Sequence, residues 1–124
     1  MKTRLMILVF INMLLISCHK EDKTILISLN KISACGVEDP LNDLLWLHEI
    51  ALKSITDRTG NYLGSIWIKK YTEKDIIVTN MALGSGGVAF YTFDCDGNNV
   101  LITDISFYNS LTDKDKIFTS IKNK

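Results

Sequence analysis

One proline, seven glycines, two histidines and three cysteines are all that 124 residues hold of the types that break, bend, ligate or staple a chain. So little Gly and Pro beside an apolar fraction of 47% argues against a disordered chain and calls for a folded module. The two histidines, His19 and His48, supply no spacing for a three-ligand zinc centre. Basic and acidic residues balance at 14 each, so there is no basic field to hold nucleic acid. A membrane-spanning helix is not expected either. At a rise of about 1.5 Å per residue it needs roughly 20 apolar residues, and the N-terminal run, residues 5–16, is shorter than that and interrupted by Asn12.

That short run has a context, however. Lys2 and Arg4 precede it, and it ends in Leu14-Leu15-Ile16-Ser17-Cys18, with a small residue directly before a cysteine. The pattern has the form of a lipobox, the processing signal of a bacterial lipoprotein. It predicts that residues 1–17 are removed as a signal peptide, that Cys18 carries the lipid (palmitate chemistry), and that the remainder is tethered outside the cytoplasm. A plain secretory signal with Cys18 as an incidental thiol is the alternative. Ile32-Ser33-Ala34-Cys35 repeats the local form, but Asn30 and Lys31 break the apolar run that must insert. Removing 17 of 124 residues leaves 107, one small domain. Loss of Lys2 and Arg4 leaves 12 basic residues against 14 acidic ones, a net charge near −2.

Behind Cys18, the stretch His19-Lys20-Glu21-Asp22-Lys23 is charged and would keep the lipidated end solvated. Lys20, Glu21 and Asp22 also resemble the signal that sends lipoproteins of Bacteroides-like bacteria to the outer face of the outer membrane. Surface display is therefore the expectation, with a simple tether on the periplasmic side as the alternative. The tether is expected over residues 18–34 and the globular domain over 35–124. Within the tether, Thr-Ile-Leu-Ile-Ser-Leu at 24–29 is apolar and β-branched enough to form a short strand and dock on the domain edge.

Asp39 ahead of Pro40 places a capping oxygen before a residue preset for a first helical turn, with Asp43 adding charge of the right sign. Leu41, Leu44, Leu47 or His48, Ala51 and Ile55 then follow the spacing of a buried stripe, and Gly60 is a natural stop. One amphipathic helix over 40–59 is predicted. This segment resembles small uncharacterised lipoproteins of Bacteroides-like bacteria, in which a Cys precedes a Pro-Leu-x-x-Leu-x-Trp-Leu-x-Glu helix opening. Cys35, Pro40, Leu41, Leu44, Trp46, Leu47 and Glu49 carry the likeness, and a Cys-Asp-Gly turn continues it at Cys95, Asp96 and Gly97. In that group a Pro commonly stands before the Trp, where this chain has Leu45. The resemblance implies no activity.

From Tyr62 the period changes from helical to alternating. Strands are predicted at 65–71, 76–83, 88–93 and 100–103, with turns at 73–75, at the glycine-rich 84–87 and at 94–99. Thr112-Asp113-Lys114-Asp115 reads as the start of a short helix carrying Ile117, Phe118 and Ile121. The expected fold class is α+β: one amphipathic helix on a roughly four-stranded antiparallel meander, with a short C-terminal helix.

Few residues invite chemistry. Asp94, Asp96, Asn98 and Asp104 suggest calcium, but aligning Gly97 with the sixth position of an EF-hand loop puts Thr92 first and Thr103 twelfth, so the end ligands are missing. Cys35 and His48 as nucleophile and base lack an orienting third group, and His48 reads as a boundary residue of the helix face. Residues 84–87 lack the Lys and Ser or Thr of a phosphate loop. Trp67, Tyr71, Phe90, Tyr91, Phe93, Phe107 and Tyr108 form either core or a stacking face for a glycan or peptide. No metal, catalytic set or cofactor is expected. Once Cys18 is lipidated two thiols remain in a compartment where disulfides persist, so Cys35 and Cys95 are expected to pair, the alternative being one buried and one turn cysteine. The functional expectation is a non-enzymatic module held to the membrane by its N-terminal lipid, binding a protein or glycan. Inhibition of a periplasmic or host enzyme and membership of an outer-membrane complex are the alternatives.

Overall fold

The structure, a computed structural model, describes residues 23–83 and 90–122. Cys18, the Lys20-Glu21-Asp22 stretch and the glycine-rich connection 84–87 lie outside those residues. Along the chain come α1 (Pro40–Asp43), α2 (Leu45–Thr56), β1 (Ser65–Tyr71), β2 (Lys74–Thr79), β3 (Tyr91–Phe93), α3 (Ile105–Asn109) and β4 (Lys116–Thr119). The strands form one antiparallel sheet in the order β3-β2-β1-β4, and the fold class is α+β.

The predicted helix over 40–59 is divided in two at Leu44, whose φ of −88° and ψ of 105° are extended. Each half has its own anchor. Asn42, buried in α1, exchanges hydrogen bonds with the backbone of Leu26 at 2.8 and 2.7 Å, whereas α2 is fixed to the sheet by buried Leu47 and Ala51. Asp39 does not cap the first turn with its side chain; its carboxylate accepts from the Asn42 amide instead. Leu45 is the first residue of α2, the N1 position at which Pro is favoured, and the extended Leu44 before it has the conformation that a following Pro imposes. At the other end α2 stops at Thr56, ahead of Gly60, because the Asp57 carboxylate accepts from the amides of Thr59 and Tyr62 at 3.0 and 2.9 Å.

β1 and β2 pair from Ile66 with Thr79 to Tyr71 with Lys74. Two residues join them, Thr72 and Glu73, both at positive φ (48° and 66°), the geometry of a type I′ hairpin. The turn is therefore earlier than the expected 73–75, and β2 starts at Lys74. Ile66, Ile68, Ile77, Phe93 and Phe118 pack on the helix side with Leu41, Leu47 and Ala51. On the other face Trp67, Ile76 and Val78 meet Ile102, Phe107 and Tyr108.

The fourth strand is not the expected 100–103. Val100 N–H donates to the Thr92 carbonyl at 2.9 Å, after which the chain leaves the ladder, and Asp104 caps α3 by accepting from the Ser106 amide at 3.0 Å. Its place is taken by β4, on the far side of β1, in the stretch expected to be a short C-terminal helix. There the Asp115 carboxylate accepts from the Thr112 amide at 3.0 Å and closes a turn, which delivers residues 116–119 to the open edge of β1. A register shift between Ile66 and Trp67 lets the adjacent Ile117 and Phe118 both join the helix-side core. Packing also begins ahead of residue 35: Leu26 and Ile32 lie against the core, Ala34 is buried within it, and Leu29 N–H donates to the Ile117 carbonyl at 2.8 Å.

Candidate functional site

The residues that the sequence singled out on either side of the helix meet at one corner. Ala34 and Val37 exchange backbone hydrogen bonds at 3.1 and 3.0 Å around Cys35 and Gly36, both at positive φ (56° and 73°). This tight turn places Cys35 just ahead of α1, half-buried against the helix-side core. Cys95 arrives from the opposite side, in the hairpin after β3. There Asp94 Oδ1 accepts from the amides of Asp96 and Asn98, each at 2.9 Å, and Gly97 adopts a φ of 85°. Cys35 and Cys95 are joined as a disulfide with Cα atoms 5.5 Å apart.

Trp46, on the first turn of α2, closes the corner. Its indole N–H donates to the Cys95 carbonyl at 3.0 Å, and its ring lies 5.4 Å from that of Phe93. Gly97 is required twice over, by its left-handed backbone and because a Cβ there would stand 2.9 Å from Trp46 Cδ2. Cys35, Trp46, Cys95 and Gly97 are thus neighbours in space. Beneath them Asp75 accepts from the Cys35 amide at 2.9 Å and pairs with Lys70 at 3.1 Å. The amide of Cys35 holds the Asp75 carboxyl below its ordinary range, with Lys70 acting in the same direction. Burial works against both.

The Asp75 carboxylate and the two cysteine sulfurs lie within 4.8 Å of one another. The sulfurs are bonded to each other, so the chemistry of this corner is cross-linking: it ties the approach to α1 to the tip of the β3 hairpin. No sequence motif marks Asp75. In the chain it is one turn acid among several, and its partner is 40 positions away.

The other candidates are dispersed. His48 is buried, at 3% exposure, not a boundary residue. Its Nδ1 lies 3.2 Å from the Leu41 carbonyl, so that nitrogen carries the hydrogen, while Nε2 has no hydrogen-bond partner among the described residues. Cys35, held by Cys95, and His48, turned to Leu41, do not meet as nucleophile and base. In the acidic turn the Asn98 amide, then that of Asp96, lowers the Asp94 carboxyl, and burial opposes them. Asp104 serves α3 as its cap. The aromatic residues divide between the faces. Tyr91 and Phe93 lie on the helix side, whereas Trp67, Phe90, Tyr108, Phe107 and Tyr71 form a run of ring contacts, 5.1 to 6.0 Å between centroids, across the other face. Of that run Phe107 is buried and the others are half-buried, so they act first as a second core. A groove of about 640 Å³ between the end of α2 and the C-terminal strand is lined by Ser54, Ile55, Leu63, Ser120 and Ile121, among others, and by none of the residues nominated for chemistry.

No protein-family model, curated protein or solved structure matches this chain.

Proposed function

We propose that this chain is a lipid-anchored envelope lipoprotein, attached through Cys18 and displayed at the cell surface, whose small domain binds a protein or glycan partner. The observation that carries the reading is the lipobox at residues 14–18, behind a short apolar run led by Lys2 and Arg4. Lys20, Glu21 and Asp22 support display on the outer face. The cystine corner supports an oxidising compartment, since such bonds persist there and are rare in the cytosol. It also supports Cys18 as the acylated residue, because the chain has three cysteines and two of them take each other as partner. A binding role, as opposed to catalysis, is supported by Cys35 lying in a cross-link and His48 being turned to a backbone carbonyl inside the core.

Fractionation of cells expressing the full chain, with radiolabelled palmitate in the medium, tests the anchor. Parent and Cys35→Ala proteins should both carry label and sediment with membranes, whereas Cys18→Ala should be unlabelled and soluble. Label surviving in Cys18→Ala and lost in Cys35→Ala would overturn the assignment. Replacing Lys20, Glu21 and Asp22 by Ala should keep the label but reduce cleavage by protease added to whole cells. Equal cleavage of both proteins would reduce the charged stretch to a tether.

A further inference from the structure

The segment just after the proposed anchor has two unlike sides. Residues 25–29 are held to the domain through their backbone: Leu26 bonds twice to the Asn42 amide and Leu29 N–H donates to Ile117. The Leu26 side chain lies on the helix-side core, and Ser28 Oγ donates to Asp39 at 3.4 Å. The alternate positions are Ile25, Ile27 and Leu29, exposed by 78%, 90% and 57%. Burial alternates along the segment, Leu26 and Ser28 being half-buried against the domain and Ile25, Ile27 and Leu29 exposed, so the docked segment leaves the other three on its solvent side. A solvent-facing edge of this kind ordinarily carries polar residues. Here it carries three aliphatic ones, the kind of cluster that marks a contact surface.

We propose that Ile25, Ile27 and Leu29 are a membrane-contact strip, seated in the interfacial layer of the same bilayer that holds acylated Cys18. The proposal rests on the lipid-anchor reading. Seven residue steps separate Cys18 from Ile25, and at no more than about 3.6 Å per residue they reach at most about 25 Å in any conformation. The lipid surface is therefore always within reach of the strip, at the high effective concentration that a short tether imposes. Three aliphatic side chains are by themselves too little for a stable dimer, in which each partner buries about 800 Å², but they suit shallow insertion beside an acyl anchor that already supplies most of the membrane affinity. Contact through the strip turns a tether into an orienting device. The β4 side of the domain faces the lipid, and the segment after β3, at the opposite edge of the sheet, faces away.

The test uses purified, lipidated full-length protein in phosphatidylcholine vesicles, with and without bromine on the acyl chains near the headgroup. Ile27→Trp reports from the strip, and Leu101→Trp, at another exposed aliphatic position just beyond Val100 and its bond to β3, reports from the far edge. Both sites are close to fully exposed, so neither change disturbs the core. Trp46 and Trp67 give the same background in every sample. The expected result is that the emission added at position 27 is largely lost in brominated vesicles, while that added at position 101 is unchanged. Unquenched emission at position 27 in protein that still floats with the vesicles would overturn the strip and leave the anchor standing. Protein that fails to float and shows no lipid on Cys18 by mass would overturn both. Equal quenching at the two positions would overturn the orientation, and unquenched, blue-shifted emission at position 27 with a dimer in sedimentation would assign the strip to a second copy instead.

Discussion

The two faces of the sheet are covered by different means. On the helix side, α2 and the N-terminal segment lie over a mainly aliphatic core in which Leu41, Leu47, Ile66 and Ile77 are almost fully buried, and the covering is tied down by the disulfide and by the Asn42 amide. On the other side, the loop carrying α3 lies over half-buried rings, held by ring contacts and by the Tyr108 hydroxyl donating to the Ile102 carbonyl at 2.8 Å. The helix side is joined to the sheet by cross-links between elements far apart in sequence, the aromatic side by packing of a segment close to β3. Stability should therefore be concentrated on the helix side, and local opening on the aromatic side, where fewer of the covering groups are fully buried.

Breaking the cross-link tests that difference most strongly. The bond spans 60 residues, and by the chain-entropy estimate a loop of that size stabilises by about 4 kcal/mol, a large part of the roughly 5–15 kcal/mol typical of a domain. Reduction, or Cys35→Ala with Cys95→Ala, should lower the urea midpoint accordingly. An unchanged midpoint would show that the corner is held by packing alone.

Next in size is the contrast between cores. Leu47→Ala on the helix side should cost about 3 kcal/mol, within the usual range of about 2–5 for a fully buried leucine. Tyr108→Ala, from a half-buried ring and one hydrogen bond, should cost less, about 1–2 kcal/mol. Equal losses in denaturant titrations would erase the distinction between the faces.

Acid should act on the helix side through Asp75. Its folded-state pKa lies below the unfolded value of about 3.8, chiefly through the Cys35 amide, so the unfolded chain binds the extra proton. The contribution is fully present above the unfolded pKa and is lost as pH falls through the folded one. Asp75→Ala should destabilise by about 1–3 kcal/mol at pH 7 and flatten the fall in melting temperature below pH 4. A variant whose melting curves keep the full acid slope would assign that slope to other carboxylates, such as Asp57, which the Tyr62 amide lowers most. The smallest effect expected is a gain. Leu45→Pro should stabilise by about 0.5–1 kcal/mol, because N1 needs no amide donor and Leu44 is already extended. A lower melting temperature would mean that the break at Leu44 requires the leucine side chain.

Legibility followed the range of the interaction concerned. α2 was readable because Leu47 and Ala51 recur at helical spacing, and β1 because Ile66 and Ile68 alternate with Trp67 and Lys69. The cysteine pair was an expectation conditional on lipidation of Cys18, and the closeness of Cys35 and Cys95 was not in the sequence. Nor was its setting: Asp75 lies 40 residues from Cys35, and nothing in a one-dimensional pattern links the two. Asn42 left a faint trace, an amide set between Leu41 and Leu44 in an apolar stripe, yet its partner Leu26 lies in a segment that composition marks as tether.

By itself, then, the sequence determined the α+β class, a helix in the first half of the domain and strands after it, because each depends on local periodicity. Only the tertiary structure decided which segment became the fourth strand. Residues 100–103 and 116–119 are both short and β-branched, and they meet different fates at opposite edges of the sheet: beyond Val100 the chain leaves β3 and packs over the aromatic face through Ile102 and Phe107, whereas Ile117 and Phe118 pair along β1 and join the helix-side core. The break at Leu44 and the burial of His48 have the same origin. Each is set by groups that meet only after the chain has closed on itself, when burial and buried hydrogen bonds outweigh the weak local preferences that a sequence displays.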